Sequence, residues 1–393
     1  MKKKFAWGSF SVLAVAHMIN DMYSNFLPQL LPVLTLTQGF SVHAGATLVA
    51  AFTISSSLLQ PLFGYLVDQK GQRWLVFVGT LWMSLLLGTI GFISNYNLLI
   101  VTAAIAGLGS AAFHPQAAAM VGELGYNRKG LILAMFTAAG NIGLALSPLI
   151  LLQLFHVYGT KITWVAVFPG LLGAILLYFF SPRSERKQNK SGGLRPVFKA
   201  LRKSAGELSK LMVIVAIRSL VHTGLMTLLP LYLLAKNFSP QSTGNLLFAT
   251  LAMGALGGVI GGIISDKYGR KVLIIGSLAL ASVFFWGFLN TGELVSFIML
   301  VLGGMALLSS FSVTVAAAQE IIPESKALAS GLSLGFAIGI GGLAVSPVGK
   351  YADLYGVDAA VHLVFILPIF AAILAVFLKD QVGAEKIEQE AAK

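Results

Sequence analysis

Gly64-Tyr65-Leu66-Val67-Asp68-Gln69-Lys70-Gly71-Gln72-Arg73 returns 198 residues later as Gly262-Ile263-Ile264-Ser265-Asp266-Lys267-Tyr268-Gly269-Arg270-Lys271. Each copy has a glycine, an aspartate four residues on, a second glycine three later and then basic residues, and each separates two long apolar runs. The same ungapped register carries Leu30-Leu31-Pro32 onto Leu228-Leu229-Pro230 and Phe40-Ser41 onto Phe238-Ser239. A shift of 199 carries Gly143-Leu144-Ala145-Leu146-Ser147-Pro148 onto Gly342-Leu343-Ala344-Val345-Ser346-Pro347. The chain is therefore an internal duplication, and parallel repeats about an axis along the membrane normal are an architecture of rocking transporters.

Composition makes lipid the solvent. Of 393 residues, 56% are apolar and 11% charged, too few to clothe a soluble domain of this size. Apolar runs bounded by Gly, Pro, Asn and charge predict spans near 6–34, 44–67, 74–93, 97–120, 130–155 and 161–181. After a polar interval they continue near 210–235, 240–264, 272–290, 294–317, 327–350 and 357–378. The expectation is an all-α membrane protein of twelve transmembrane helices in two pseudo-symmetric six-helix bundles. It divides into an N-terminal bundle at 1–181, a cytoplasmic linker at 182–209 containing some surface helix, a C-terminal bundle at 210–380 and a cytoplasmic tail at 381–393. The apolar run behind Lys2, Lys3 and Lys4 is longer than a secretory core and has no small-residue cleavage pattern, so it reads as the first helix.

The net charge of +12 reflects topology rather than nucleic-acid binding. Of 27 Lys and Arg, 23 fall in the termini, the central segment and the loops after even-numbered spans; Lys161, Lys236 and Lys350 occupy the alternate loops, and Arg218 lies inside a span. By the positive-inside rule both termini are expected in the cytoplasm, and the chain in a bacterial inner membrane. The absence of cysteine excludes disulfides and thiolate metal sites.

In the paired loops, Gly64 and Gly262 are expected to let helices approach, and Gly71 and Gly269 to permit tight turns. Asp68 and Asp266 can accept from a helix N-terminus or pair with Arg73, Arg270 and Lys271, holding one conformation, or they can simply cap a loop. The loops resemble the signature of the major facilitator superfamily. Within it, the chain is similar to the fosmidomycin resistance protein family through His17-Met18-Ile19-Asn20-Asp21-Met22, Gly107-Leu108-Gly109-Ser110-Ala111-Ala112-Phe113-His114-Pro115, and Arg218 with His222-Thr223-Gly224. The resemblance covers nearly the whole chain and implies proton-driven export of a small toxic compound, with spans 1, 4 and 7 lining a central cavity. Two positions depart from superfamily patterns: Ala103 stands where an arginine is common, and span 5 has Gly140, Gly143 and Pro148 without a Gly-Pro pair. That spacing recurs in span 11 as Gly342 and Pro347, so helix packing competes with an antiporter role.

Ionisable groups at bilayer depth cost at least ~2.5 kcal/mol each on insertion scales, so each needs a partner, a watery cavity or a function. His17, Asp21 and Asn25 form one stripe in span 1 with Asn20 beside it, while Arg218 and His222 form another in span 7. In the repeat register Asn20 matches Arg218 and Asp21 matches Ser219, so acid and base lie at nearly one depth. This predicts an Asp21–Arg218 pair across the cavity as the proton-coupling site, tuned by His17 and His222. Asn20, Asn25, His114, Arg218 and His222 are the candidate substrate contacts; for His114 a structural interhelical hydrogen bond is the competing role. Glu123 and Glu320 read as gating or capping groups, His362 as structural, and His43 and His156 as loop residues marking no site.

Three function classes follow. A secondary transporter exporting a small organic compound or drug by proton antiport is expected first. A proton-coupled importer or uniporter for a small organic anion or organophosphate is the alternative. A sensor or enzyme is disfavoured, for there is no phosphate loop, catalytic carboxylate pair, metal spacing or soluble domain. The expected partners are a small-molecule substrate, protons and lipid, acting on a monomer with no cofactor beyond the proton gradient.

Overall fold

The computed structural model describes residues 6–70, 72–124, 129–182, 194–322, 329 and 331–379. The described elements are helical. In the first half they run α1 (Trp7–Ser24), α2 (Phe26–Gln38), α3 (Val42–Leu58), α4 (Gln60–Lys70), α5 (Trp74–Thr89), α6 (Tyr96–Leu124), α7 (Lys129–Tyr158) and α8 (Val167–Phe180). The second half has α9 (Leu194–Ala235), α10 (Pro240–Tyr268), α11 (Arg270–Asn290), α12 (Glu293–Ile321), a π-helical turn (Leu332–Ala337), α13 (Ile338–Leu343), α14 (Val345–Tyr355) and α15 (Val357–Val376).

Ten helical stretches among the described residues are long and apolar enough to cross a bilayer. The positions read as spans 1 and 11 are the ones outside that ten, and both are broken helices: α1 gives way to α2 at Asn25, and α13 to α14 at Ala344. A proline follows three residues after each break, at Pro28 and Pro347. Proline has no N–H to give and fits a first helical turn best, so restarting the helix just before it spares the backbone hydrogen bond an interior proline would break. Leu59 and Pro61 repeat the device between α3 and α4.

Span 7 departs from the expected outline in the other direction. Residues 194–209 of the expected linker belong to α9, one helix of 42 residues. At 1.5 Å per residue it is about 63 Å long, twice a hydrocarbon core, so its polar N-terminal turns project beyond the membrane.

The two halves repeat one set of contacts. α1 packs on α7 as α9 packs on α13; α3 on α6 as α10 on α12; α5 on α6 as α11 on α12; α5 on α8 as α11 on α15. The halves meet along two seams, α3 with α13 and α14, and α7 with α10. Small residues set the close approaches, as expected where lipid offers no hydrophobic drive between helices. A Cβ on Gly79 would stand 2.6 Å from the Gly109 carbonyl oxygen, and one on Gly107 would stand 2.5 Å from the Phe52 carbonyl oxygen.

The motif glycines split. Gly269 has φ +95° where α10 turns into α11, a conformation that side chains with a Cβ resist. Gly64 and Gly262 are not close-approach positions: an added Cβ would meet Pro115 Cβ at 3.9 Å and Ser312 Oγ at 3.8 Å, ordinary contact. The approach of α10 to α12 is made one residue earlier, at Gly261, whose Cβ would lie 2.9 Å from the Ser309 carbonyl carbon.

Candidate functional site

Asp21 is held by two histidines from two helices. His17 Nε2, one turn back on α1, lies 3.3 Å from Asp21 Oδ2, and His114 Nε2 of α6 lies 2.9 Å from Asp21 Oδ1. Each imidazole is anchored at its other nitrogen by a backbone carbonyl at 2.8 Å: His17 Nδ1 donates to Phe136 O of α7, and His114 Nδ1 to Ser110 O. The Phe136 ring also stacks on His17, with centroids 4.0 Å apart. Gly140, one turn along α7, leaves the space the cluster fills, for a Cβ there would come within 2.5 Å of His17 Cε1 and collide with the Asp21 carboxylate. Gly143 lets α7 lie against the Met18 backbone, where a Cβ would be 2.8 Å from the carbonyl carbon. Span 5 thus uses its glycines to reach the acid stripe of span 1, and Pro148 is buried further along α7 with its carbonyl oxygen 2.9 Å from where a Gly244 Cβ would sit.

The expected Asp21–Arg218 pair is absent among the described contacts. Arg218 is 3% exposed and faces Phe311, with Cζ 4.6 Å from the ring centroid. Its Nε and Nη1 have no hydrogen-bond partner among the described residues. Matching depth along two helices left their rotation free, and α6 brought His114 to the carboxylate first. His222, one turn beyond Arg218, is partly buried and near enough to feel its charge.

The remaining candidates disperse. Asn20 is turned to span 3, donating to Thr80 Oγ1 at 2.9 Å and to Ala16 O at 2.8 Å, so it stands apart from the Asp21 cluster. Asn25, at the break in span 1, donates to Leu144 O at 3.3 Å and touches Met226 Sδ at 3.9 Å, which links spans 1, 5 and 7. Gly342 packs on Thr53, its Cβ position 2.9 Å from Thr53 Cβ, while Pro347 is exposed.

The paired loops are wired differently. Arg270 ion-pairs with Asp266, donates from Nε to Glu320 Oε1 at 3.0 Å and from Nη1 to Ser265 Oγ at 2.7 Å, tying spans 8, 9 and 10 together. Arg73 instead donates to Ser181 Oγ at 2.9 Å and to the Tyr178 carbonyl, capping the C-terminal end of α8. Cations suit that end of a helix. Lys271 is partly buried at the start of α11. Gly71 and the Asp68 side chain lie outside the described residues.

Sequence reasoning missed one constellation. At the end of the bundle opposite these loops, Asp353 of α14 accepts from the Val42 and His43 N–H groups at 2.7 and 2.9 Å, the first residues of α3. His43 Nδ1 donates to Ser346 O at 2.9 Å, and Thr47 and Ser346 hydroxyls meet at 2.7 Å. A carboxylate on a helix N-terminus is a favourable electrostatic contact, and here it joins the two halves. His43 therefore belongs to the seam rather than to an idle loop. The available signal was Ser41, which caps α3 by accepting from Ala44 N at 3.1 Å, with Asp353 near the end of span 11 on the same side.

A duplicated helical bundle with broken spans, glycine-packed seams and buried ionisable groups inside its helices is the architecture of a multi-pass membrane transporter. Residues 13–250 and 211–393 match the family model described as Major Facilitator Superfamily, and the chain belongs to that family. It is 28% identical to the fosmidomycin resistance protein of Escherichia coli (strain K12), covering 96% of this chain and 94% of that one. It is 25% identical to the MFS-type transporter YfnC of Bacillus subtilis (strain 168), covering 94% and 92%. Among solved structures it superposes on a mutant form of the nucleoside transporter NupG, with TM-score 0.77 at 13% identity, over 94% of this chain and 99% of that one.

Proposed function

We propose that this transporter works by alternating access and exports a small organic compound in exchange for protons, with Asp21, His17 and His114 as the proton site. The observation that carries the reading is an asymmetry between the halves: Asp21 is hydrogen-bonded to His114 and within ion-pair distance of His17, whereas Arg218 is buried with N–H groups unmatched among the described residues. A carboxylate that exchanges protons must be able to lose and regain its partners, and contacts drawn from spans 1, 4 and 5 change whenever those helices shift. An unmatched buried guanidinium is a receptor for an anionic substrate group, which would supply the hydrogen bonds that Phe311 cannot. His222 then tunes Arg218. The likeness to a protein named for fosmidomycin resistance supports export as the direction.

Arg218 also supports the second reading, proton-coupled import or uniport of a small organic anion or organophosphate. One experiment separates them: purified protein in proteoliposomes, an imposed pH gradient of either sign, and a panel of phosphonates, organic acids and lipophilic drugs. Antiport predicts accumulation in vesicles that are acid inside; symport predicts accumulation in vesicles that are acid outside; a uniporter equilibrates its substrate whatever the gradient.

A further inference from the structure

Hydrogen-bond valence around Asp21 fixes a proton count. A carbonyl oxygen can only accept, so the hydrogen bonds of His17 Nδ1 to Phe136 O and of His114 Nδ1 to Ser110 O place a hydrogen on each Nδ1. In a neutral imidazole that leaves Nε2 as a lone pair. Both Nε2 atoms face the Asp21 carboxylate, at 3.3 and 2.9 Å, and an ionised carboxylate has only lone pairs to offer. With no further protons, three acceptors would converge: Nε2 of His17, Nε2 of His114 and the Asp21 oxygens, all within 4.8 Å of one another. The His114 contact has hydrogen-bond geometry and the His17 contact is an ion-pair distance, and each becomes attractive only when a proton sits in it.

We infer that the closed His17–Asp21–His114 cluster binds two protons, one in each Nε2···Oδ contact, so that His114 is a second proton carrier beside the span 1 pair. The inference rests on the proton-coupled reading above and adds its stoichiometry.

Among the described residues no other group around the cluster supplies these charges. From α7 the cluster meets Gly140 and Phe136, and from α6 Ser110 and Phe113 accompany His114. The neighbouring α5 sends Thr80 to Asn20, not to the carboxylate. The ionisable side chains brought together here, among the described residues, are its own three members. Losing both protons therefore turns two attractions into two repulsions, and the one at His114, the contact that crosses from α6 to α1, separates span 4 from span 1 unless water or substrate enters. Coupling to two protons also changes what a gradient can do: at zero membrane potential one pH unit sustains a hundredfold substrate ratio rather than a tenfold one.

The test needs no substrate. Full-length purified protein in detergent is titrated potentiometrically between mildly alkaline and mildly acidic pH, and the protons bound per chain are compared with those of Asp21→Asn, His114→Gln and His17→Gln. The other histidines, His43, His156, His222 and His362, are common to all four and cancel. Wild type is expected to take up two more protons than Asp21→Asn and one more than either histidine variant. As a check that needs no variant, the combined 15N-histidine and carboxyl infrared spectra of the wild type should account for two cluster protons in the acid form. A wild-type excess of one proton or none, or a His114→Gln variant that titrates like wild type, overturns the inference. Proton coupling is judged separately, by whether Asp21→Asn still concentrates substrate, so the two readings can fail independently.

Discussion

Span 1 and span 7 are related by the duplication, yet one dresses its charge and the other leaves it bare. Asp21 receives one histidine from its own helix and one from α6, and a glycine of α7 leaves the space they occupy. Arg218 receives an aromatic face and no hydrogen bond to Nε or Nη1. An ionisable group in a bilayer either brings its partners with it or waits for one, and the two halves have taken one course each. The proposed function builds on this contrast, with the proton on the first half and the substrate's charge on the second.

The sharpest way to break this division is Asp21→Asn. It should abolish accumulation against a gradient while leaving substrate binding and exchange, measured by counterflow in the same vesicles. Should the variant still concentrate substrate with unchanged pH dependence, the proton site lies elsewhere.

The next effect is at Arg218, and it differs in kind. Removing a partnered group costs stability, whereas removing an unpartnered buried charge relieves desolvation. Arg218→Met is expected to lower affinity for an anionic substrate about 10- to 100-fold, the worth of one or two hydrogen bonds to a charged donor, without lowering the melting temperature. Asp21→Asn, by contrast, should lower it. Equal thermal losses in the two variants would mean that Arg218 is held by the fold after all.

How far these features could be read from the residues follows the same line. The duplication, the paired loops and the stripe of His17 and Asp21 are properties of order along the chain, and all were visible there. Partnership between helices was not. Register places Asp21 and Arg218 at one depth, but rotation about each helix axis decides which side chains touch, and that is set by Gly107, Gly109 and Gly140 in packing that no single sequence displays. The Asp353 clamp was hidden for another reason. Its acceptor is a side chain but its donors are backbone N–H groups, which every residue but proline carries.

That clamp has its own pseudo-symmetric contrast. Where α3 meets α14 a carboxylate holds a helix N-terminus; where α7 meets α10 the contact is Gln153 Nε2 to Gln241 Oε1 at 2.6 Å, neutral and exposed. In the repeat register His43 corresponds to Gln241. Asp353→Asn removes the charge from two hydrogen bonds, so it should favour opening at this end by about 1–2 kcal/mol, or about 5- to 30-fold in population. Gln153→Ala should shift it about twofold at most. Distances between spin labels at residues 40 and 354 report the opening. Similar shifts in both variants would show the two seams to be equivalent latches.

The smallest expected effect lies in the repeated loops. Gly64 and Gly262 are the motif's first glycines, but each has ordinary room for a methyl group, at 3.9 and 3.8 Å from its nearest neighbour. Each sits inside a helix, α4 or α10, where glycine is about 1 kcal/mol worse than alanine. Gly262→Ala and Gly64→Ala are therefore expected to hold or slightly raise the melting temperature. Gly261→Ala, one residue away, must push its methyl group against the Ser309 backbone, and overpacking of this kind costs about 1–3 kcal/mol. Stability and transport separate the remaining possibilities. If Gly262→Ala keeps its melting temperature and loses turnover, the glycine serves a second conformation in which α10 comes closer to its neighbour. If it loses both, the contact at this position is already tight.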